Sequence, residues 1–526
     1  MSQPVLTDYI SALLTSGAPH WGTGGAVLDG SSVGGAVTVT YGFATSSRQV
    51  ADADAAGFAT MNNEQRAAVR QALAAWSGVA NIGFVETSDA SGATMRFGTN
   101  RQNGITAAYA YYPFPSPQGG DVFLANDSIG NVNPTAGSYA YMTVVHEIGH
   151  ALGLKHPGNY DAGDSTGTEG PYLPSATDNY AYSIMSYVAN GALPSGTYLT
   201  GPSLYDIAAI QYLYGPNMAA GAGDSSYVLN TGSFTTLWDP NGRNTLNGSA
   251  QAAALSLDLR SGAFSSAGGT TFLALAYGTT VQLAVGGSGD DTFTVNRLGN
   301  VLDGGGGTDT VVFSGSRSQY RVQRMDGGRY VVSGADGVDL LSNIEYLRFS
   351  DAGTPLSASV SGSFDPLRYI ASNADLMAAF RTDAAAATQH LTGSGVYEGR
   401  SLTGFNPYNY LAGYGDLLYA FGSDVDSATR HYIEVGNREG RSSTLFDTLS
   451  YQAGNRDLIA AYGDNREAAE LHYIVNGRLE GRSLDGFNTA AYLAVNPDVN
   501  AAVGGSIAGA KQHYVSYGFA EGRALA

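Results

Sequence analysis

The chain of 526 residues changes its apolar rhythm twice. Over residues 1–222, apolar positions recur at helical spacing in some stretches and alternate in short runs in others, which predicts amphipathic helices mixed with short strands. Residues 223–356 read as strand-like runs broken by glycine, with residues 319–332 (QYRVQRMDGGRYVV) forming a hairpin around Asp326-Gly327-Gly328. From residue 357 onward the pattern repeats itself. Phe364, Phe405, Phe446 and Phe487 open four units of 41 residues. The same spacing relates Tyr369, Tyr410, Tyr451 and Tyr492, then Asp375, Asp416, Asp457 and Asp498, then His390, His431, His472 and His513. Glu398-Gly399-Arg400 recurs at the same interval as Glu439-Gly440-Arg441, Glu480-Gly481-Arg482 and Glu521-Gly522-Arg523. Alanine-rich segments between these markers suit two short helices per unit, and equal spacing without insertions means stacked or clustered repeats. The expected fold class is therefore multidomain α+β: a mixed domain at 1–222, a glycine-rich parallel β-roll or β-sandwich at 223–356, and an α-helical repeat domain at 357–526.

One helical stretch carries candidate chemistry. His146-Glu147-Ile148-Gly149-His150 sets two imidazoles four residues apart on one helix face, so both can reach one ion from successive turns. Glu147, beside the first ligand, is badly placed to join the same tetrahedron but well placed to hold a water at an open fourth position and take its proton. Gly153 is expected to end the helix in a left-handed turn, after which the chain swings back to deliver His156 as a third ligand. Three protein ligands and one open position make the catalytic zinc arrangement, whereas structural zinc is closed by four. A methionine-centred turn, Ser183-Ile184-Met185-Ser186-Tyr187, places Met185 29 residues after His156. Together with HExxHxxGxxH it is far more specific than HExxH alone.

These motifs resemble the serralysin-type metzincins, secreted zinc endopeptidases of bacteria. The likeness extends to residues 63–84, similar to that family's first long helix and following strand, and to residues 204–215 (LYDIAAIQYLYG), similar to the helix closing its catalytic domain. Residues 106–113 (TAAYAYYP) are similar to its substrate-binding edge strand. The resemblance implies that His146, His150 and His156 hold zinc, that Glu147 is the general base, and that Met185 is the hydrophobic floor beneath the metal. It also implies that Tyr187 ligates zinc at rest and swings to hydrogen-bond the tetrahedral intermediate. An extended peptide is expected to pair with the edge strand at Ala107, Ala108, Tyr109, Ala110 and Tyr111, gripped through its backbone and so with broad specificity. Zinc would lower the pKa of its bound water from ~15.7 toward ~7, and the Tyr187 hydroxyl would share the oxyanion.

The glycine-rich stretch adds a second metal. Residues 286–294 (GGSGDDTFT) and 304–312 (GGGGTDTVV) both fit the nonapeptide GGxGxDxUx, 18 residues apart. In a parallel β-roll that offset stacks the two turns on one side. There Asp291, Asp309 and the turn carbonyls of Gly287, Gly289, Gly305 and Gly307 are expected to enclose calcium, with Phe293 and Val311 pointing inward. Residues 238–244 (WDPNGRN) match the resembled family's WDxGGND segment only in part. A glycine-turn β-sandwich without metal is the alternative.

Composition narrows the setting. No cysteine occurs, which excludes a disulfide framework, a thiolate metal site and a cysteine switch. A net charge of −19 with only two lysines, Lys155 and Lys511, argues against a nucleic-acid partner and suits carboxylates that meet divalent cations. No apolar run is long enough for a transmembrane segment, and the opening MSQPVLTDYI lacks the basic and apolar regions of a secretory signal. An extracellular or cell-surface location reached by type I secretion, as in the resembled family, is the expectation, although the terminal GRALA lacks that family's apolar ending. Of eight histidines, three belong to the zinc motif and four to one repeat position, which makes those four hydrogen-bonded scaffold and leaves His20 unassigned. The recurrent Glu and Arg are expected to form a local ion pair. Two function classes remain. One is a secreted zinc-dependent endopeptidase acting on protein or peptide, stabilised by calcium. The other is a calcium-dependent surface or adhesion protein with a vestigial protease domain, whose repeats bind a cell-surface or exported partner.

Overall fold

The computed structural model describes residues 6–162 and 168–525; residues 1–5 and 526, on which part of the export reading falls, lie outside the described residues. The chain forms two compact units, 1–361 and 362–526. The regions expected at 1–222 and 223–356 both fall in the first.

The first unit holds a five-stranded sheet. Strands β1 (Val37–Phe43), β2 (Ile82–Glu86), β3 (Met95–Asn100), β4 (Ala108–Ala110) and β5 (Val122–Ala125) lie in the order β2-β1-β3-β5-β4. Neighbours run parallel except β4, which pairs antiparallel with β5 and so leaves a free edge. Helix α1 (Asn63–Val79) starts at a capping box between Asn62 and Gln65 and buries Ala68, Val69, Ala72, Leu73 and Trp76 at helical spacing. Helix α2 (Tyr139–Ala151) starts at Ser138, whose hydroxyl accepts the Tyr141 N–H, and is buried at every position from 140 to 151. A helix enclosed on all sides tolerates polar side chains only where partners satisfy them, which singles out His146, Glu147 and His150. Helix α3 (Leu204–Tyr214) holds the methionine turn in place. Its Asp206 carboxylate accepts Ser203 N–H (2.8 Å), the Ser183 hydroxyl (2.6 Å) and Ile184 N–H (2.6 Å), and burial pushes its pKa up to about 7.

Beyond α3 the chain winds into a roll of two facing sheets. Successive coils place Leu283–Val285 and Val301–Asp303 in one sheet, and Thr292–Thr294 and Thr310–Val312 in the other, all parallel. Register stacks the inward side chains in two columns: Leu246, Ala284, Leu302 and Leu341 opposite Leu257, Phe293, Val311 and Leu347, each at most 1% exposed. The hairpin expected from the sequence pairs Arg321–Arg324 with Tyr330–Gly334.

The second unit holds the four repeats, and here the expectation of two helices per unit fails. The first repeat has three, Pro366–Ala371, Ala374–Phe380 and Ala384–His390, and the last runs on into a π-helical turn at Leu391–Gly395. The same elements recur at Pro407–Gly413, Gly415–Phe421, Val425–His431 and Tyr432–Gly436, and likewise in the other two repeats. In three of the four repeats an asparagine makes the additional break, and in the second Tyr414 stands there. Asn455 Nδ2 donates to the Tyr451 carbonyl (2.7 Å) and to the Ser483 carbonyl (2.8 Å), replacing a helical hydrogen bond with a tertiary one. Asn373 and Asn496 do the same.

The π turn makes room for a tyrosine. Tyr369, Tyr410, Tyr451 and Tyr492 are fully buried, and their hydroxyls meet Nδ1 of the repeat histidines at 2.9, 3.0, 2.8 and 2.9 Å. Each hydroxyl presses on a glycine of the turn: a Cβ on Gly436 would lie 2.0 Å from the Tyr410 oxygen. The repeat histidines are thus scaffold. The arginine of each Glu-Gly-Arg pairs with that glutamate and also with the repeat aspartate, as in Arg441 to Glu439 (2.7 Å) and to Asp416 (2.8 Å).

Candidate functional site

The end of α2 builds the site. Gly153, at φ 110°, reverses the chain, with Leu154 N–H bonded to the Gly149 carbonyl (2.9 Å) and Gly153 N–H to the His150 carbonyl (2.9 Å). That reversal brings His156 back under the helix, its Nε2 3.0 Å from Nε2 of both His146 and His150. The opposite ring nitrogens are spoken for: His146 Nδ1 donates to the Ile184 carbonyl (2.8 Å) and His150 Nδ1 to the Leu154 carbonyl (2.7 Å). With their protons there, these rings point Nε2 lone pairs at a common centre. Burial pushes His146 down to about 4 and His150 down to about 3, His150 further through His146; His156 is pushed down by burial and by both other rings. Three neutral imidazoles facing one point repel unless a cation sits between them, and zinc, at ~2.0–2.1 Å from each nitrogen, fits that donor set. Among the described residues this is the one cluster of three or more metal-ligating side chains close enough to share an ion.

The other expected residues are grouped around it. Glu147, 7% exposed, faces a cleft of about 250 Å³ lined also by Ala107, Ala108, Tyr139, Met142 and Tyr187. Burial, and then Asp161, pushes its carboxyl up to about 8. Met185 is fully buried beneath α2, its Sδ 2.6 Å from where a Cβ on Gly149 would be. The Tyr187 ring lies against His156 (4.6 Å between centroids) and stacks on Tyr160 (4.8 Å), and its hydroxyl accepts Ala162 N–H at 3.4 Å.

The edge strand is placed beside the cleft, but its five expected residues divide. Ala107 accepts Ala125 N–H (2.9 Å) and Tyr111 N–H donates to Asp121 (3.0 Å). The alternation of an antiparallel ladder therefore commits Ala107, Tyr109 and Tyr111 to β5 and turns the backbone groups of Ala108 and Ala110 outward. The Tyr109 and Tyr111 side chains point to the other face of the sheet, their hydroxyls on the buried Asp54 carboxylate at 2.7 and 2.8 Å. Asp54 carries no motif, and neither does Lys155. The Lys155 ammonium is fully buried and donates to the Ala12 (2.8 Å) and Pro171 (2.9 Å) carbonyls. Burial pushes its pKa down to about 8.

In the roll the two glycine turns stack as expected, with Gly306 N–H on the Gly287 carbonyl (2.9 Å) and Gly307 packed against the Gly289 carbonyl. A carboxylate ladder runs beside them. Asp291 accepts Leu255 N–H (2.7 Å), Asp309 accepts Asp291 N–H (2.7 Å) and Glu345 accepts Asp309 N–H (2.8 Å), each one coil further on. The other Asp291 oxygen is taken by Gly287 N–H (2.6 Å), whereas Asp309 Oδ2 is buried without a hydrogen-bond partner. Burial, aided by Asp291 and Glu345, pushes Asp309 up to about 6. An orphaned carboxylate oxygen among like charges fits a hard cation such as calcium. At residues 238–244, by contrast, Asp239 is closed by Tyr227 and Asn241 (2.5 and 3.2 Å), and Arg243 pairs with Asp224.

Known proteins show the same segments. Residues 49–162 match the family described as Matrixin, residues 132–230 that described as Met-zincin, and residues 219–387 that described as Peptidase M10 serralysin C terminal. "Metallopeptidase AprA" of Pseudomonas marginalis is 34% identical over 300 residues, 51% of this chain and 62% of the relative. "Serralysin A" of Dickeya chrysanthemi is 34% identical over 289 residues, 50% of this chain and 60% of the relative. "Serralysin C" of the same organism is 36% identical over 285 residues, 49% and 58%. The chain thus spans about three fifths of the length of these relatives. With matches running from the first helix through the histidine centre into the roll, residues 49–387 are those of a serralysin-type metzincin.

Proposed function

We propose that the protein is a zinc-dependent endopeptidase that hydrolyses extended polypeptides outside the cell. The convergence of three neutral imidazole Nε2 atoms, two of them held in tautomer by carbonyls, carries the reading. His146, His150 and His156 would hold zinc, which supplies the Lewis acidity that lowers the pKa of a water toward ~7 and polarises a carbonyl. Glu147, enclosed at the cleft with its pKa raised, takes the proton of the attacking water and hands it to the leaving amine. The Tyr187 hydroxyl turns from Ala162 to donate to the oxyanion, a short rotation for a ring already against His156. Met185 supports the metal ligands from below, and Ala108 and Ala110 pair with the peptide backbone, which favours broad specificity. Asp309, with Asp291 and the turn carbonyls, would hold calcium and stiffen the roll. Export by type I secretion is part of the same reading, supported by the resemblance to the serralysins. The test is casein hydrolysis and zinc content in the wild type and in Glu147→Ala. Full zinc in both with activity only in the wild type is expected; equal activity in both removes Glu147 from the chemistry, and none in either favours a vestigial protease domain.

A further inference from the structure

We propose that Asp54 is a positioning residue for the peptide-binding strand, bracing β4 from behind through Tyr109 and Tyr111 and so setting substrate affinity rather than turnover. The inference rests on the endopeptidase reading above.

On the face opposite its tyrosines β4 presents only alanines, Ala108 in the core and Ala110 packed against it, and such small side chains fix the position of a three-residue strand only loosely. One flank is the ladder to β5, and the other must stay free for a peptide. The remaining face carries a network. Tyr109 donates to Asp54 Oδ1 (2.7 Å) while accepting from Asn100 Nδ2 (2.6 Å), and Tyr111 donates to the same Asp54 oxygen (2.8 Å). Asn100 Nδ2 also donates to the Asp54 carbonyl (3.1 Å), and its Oδ1 accepts from Gln102 Nε2 (3.1 Å). Gln102 Oε1 in turn accepts the hydroxyl of Thr106 (2.5 Å), a residue that lines the cleft. The strand is therefore fixed at 106, 109 and 111, and the outward groups of Ala108 and Ala110 lie between the fixed points.

Asp54 itself is 1% exposed, and no ion pair among the described residues includes it. A buried carboxylate without a cation is unfavourable unless its hydrogen bonds are complete, and here the two phenols supply Oδ1 while the Gln118 amide approaches Oδ2 (3.5 Å). Simple sheet packing needs no such group, since two phenylalanines would fill the same space without a buried charge. What the network adds is a fixed strand position at the edge where a peptide must find its register, and preorganisation of that kind appears as binding affinity.

The experiment uses the full chain loaded with zinc and calcium. Asp54→Asn, Tyr111→Phe and the double variant Tyr109→Phe/Tyr111→Phe are compared with the wild type by steady-state casein-peptide hydrolysis, zinc content and thermal unfolding. Each is also built on Glu147→Ala, where binding of a fluorescein-labelled casein peptide is followed by anisotropy. The expected result is a KM and a peptide Kd raised about 3- to 10-fold, about 1 kcal/mol of lost grip. The zinc content should be unchanged and kcat should stay within about twofold, because uniform binding is what is lost. Folded, zinc-replete variants with wild-type Kd and KM, or a fall in kcat at constant KM, would overturn the proposal. A wild type that binds the peptide but never cleaves it would sink the endopeptidase reading and leave the Kd comparison to decide the role of Asp54.

Discussion

Substituting Gly436 by alanine tests the packing logic of the repeats. Gly436 does not adopt a left-handed φ, so the added methyl meets a steric obstacle rather than a backbone one. Its Cβ would lie 2.0 Å from the Tyr410 hydroxyl oxygen and 3.1 Å from Cζ. Overpacking of this kind costs about 1–3 kcal/mol, partly offset by the ~0.5–1 kcal/mol by which alanine favours a helical position over glycine. Tyr410→Phe removes the oxygen and leaves His431 Nδ1 without its 3.0 Å partner, a loss of about 1 kcal/mol. If the clash is the oxygen, the two changes are coupled. In the double variant the nearest obstacle recedes to 3.1 Å, and the combined destabilisation should fall short of the sum by about 1 kcal/mol. Urea unfolding followed by far-ultraviolet circular dichroism reports the helices of both units, and Trp21, Trp76 and Trp238, all in the first, report that unit alone by fluorescence, so the difference between the two signals follows the second. Additivity within about 0.3–0.5 kcal/mol would refute the account of the π turn.

Three further outcomes follow from the same contacts. Asp416, Asp457 and Asp498 are held below the usual carboxylate range by Arg441, Arg482 and Arg523. Their contribution is therefore present above the unfolded value of ~3.9 and lost as pH falls through the lower folded value, so the repeat helices should melt earlier at about pH 3 than at about pH 6. The difference should shrink in Arg441→Gln, and an equal shift in that variant contradicts the pairing. Asp206→Ala strands three buried donors around the methionine turn and should lower stability by about 3 kcal/mol by thermal unfolding, with faster loss of zinc to a chelator because the Ile184 carbonyl no longer holds His146. Unchanged zinc retention would separate the turn from the metal centre. Calcium chelation should lower the unfolding temperature of the wild type and much less that of Asp309→Asn; an equal drop in both places the ion elsewhere.

The histidine centre was legible because it is a local property. His146 and His150 are set by helix pitch, and Gly153 by the left-handed turn that returns His156. The roll was legible for a similar reason, since the 18-residue coil stacks Phe293 on Val311. Contacts between distant segments were not legible. Glu345 continues the ladder of Asp291 and Asp309 one coil later without a glycine pair to mark it. Asp54 lies in an alanine- and aspartate-rich stretch (ADADAAG) that looks like a solvated loop, and only the fold brings it behind Tyr109 and Tyr111. The third helix of each repeat was hidden because helices of six or seven residues, interrupted by a single residue such as Asn373 or Tyr414, keep nearly the apolar spacing of a longer one. Lys155 ran against the usual rule that lysine stays in water, because backbone carbonyls complete its hydrogen bonds.

Zinc K-edge X-ray absorption of the zinc-loaded protein tests the metal centre most directly. Three imidazole nitrogens and one oxygen donor at about 2.0–2.1 Å are predicted, with one imidazole fewer in His156→Ala. A shell containing fewer than three imidazoles, or one unchanged by His156→Ala, would contradict the assignment of His146, His150 and His156 to a single ion.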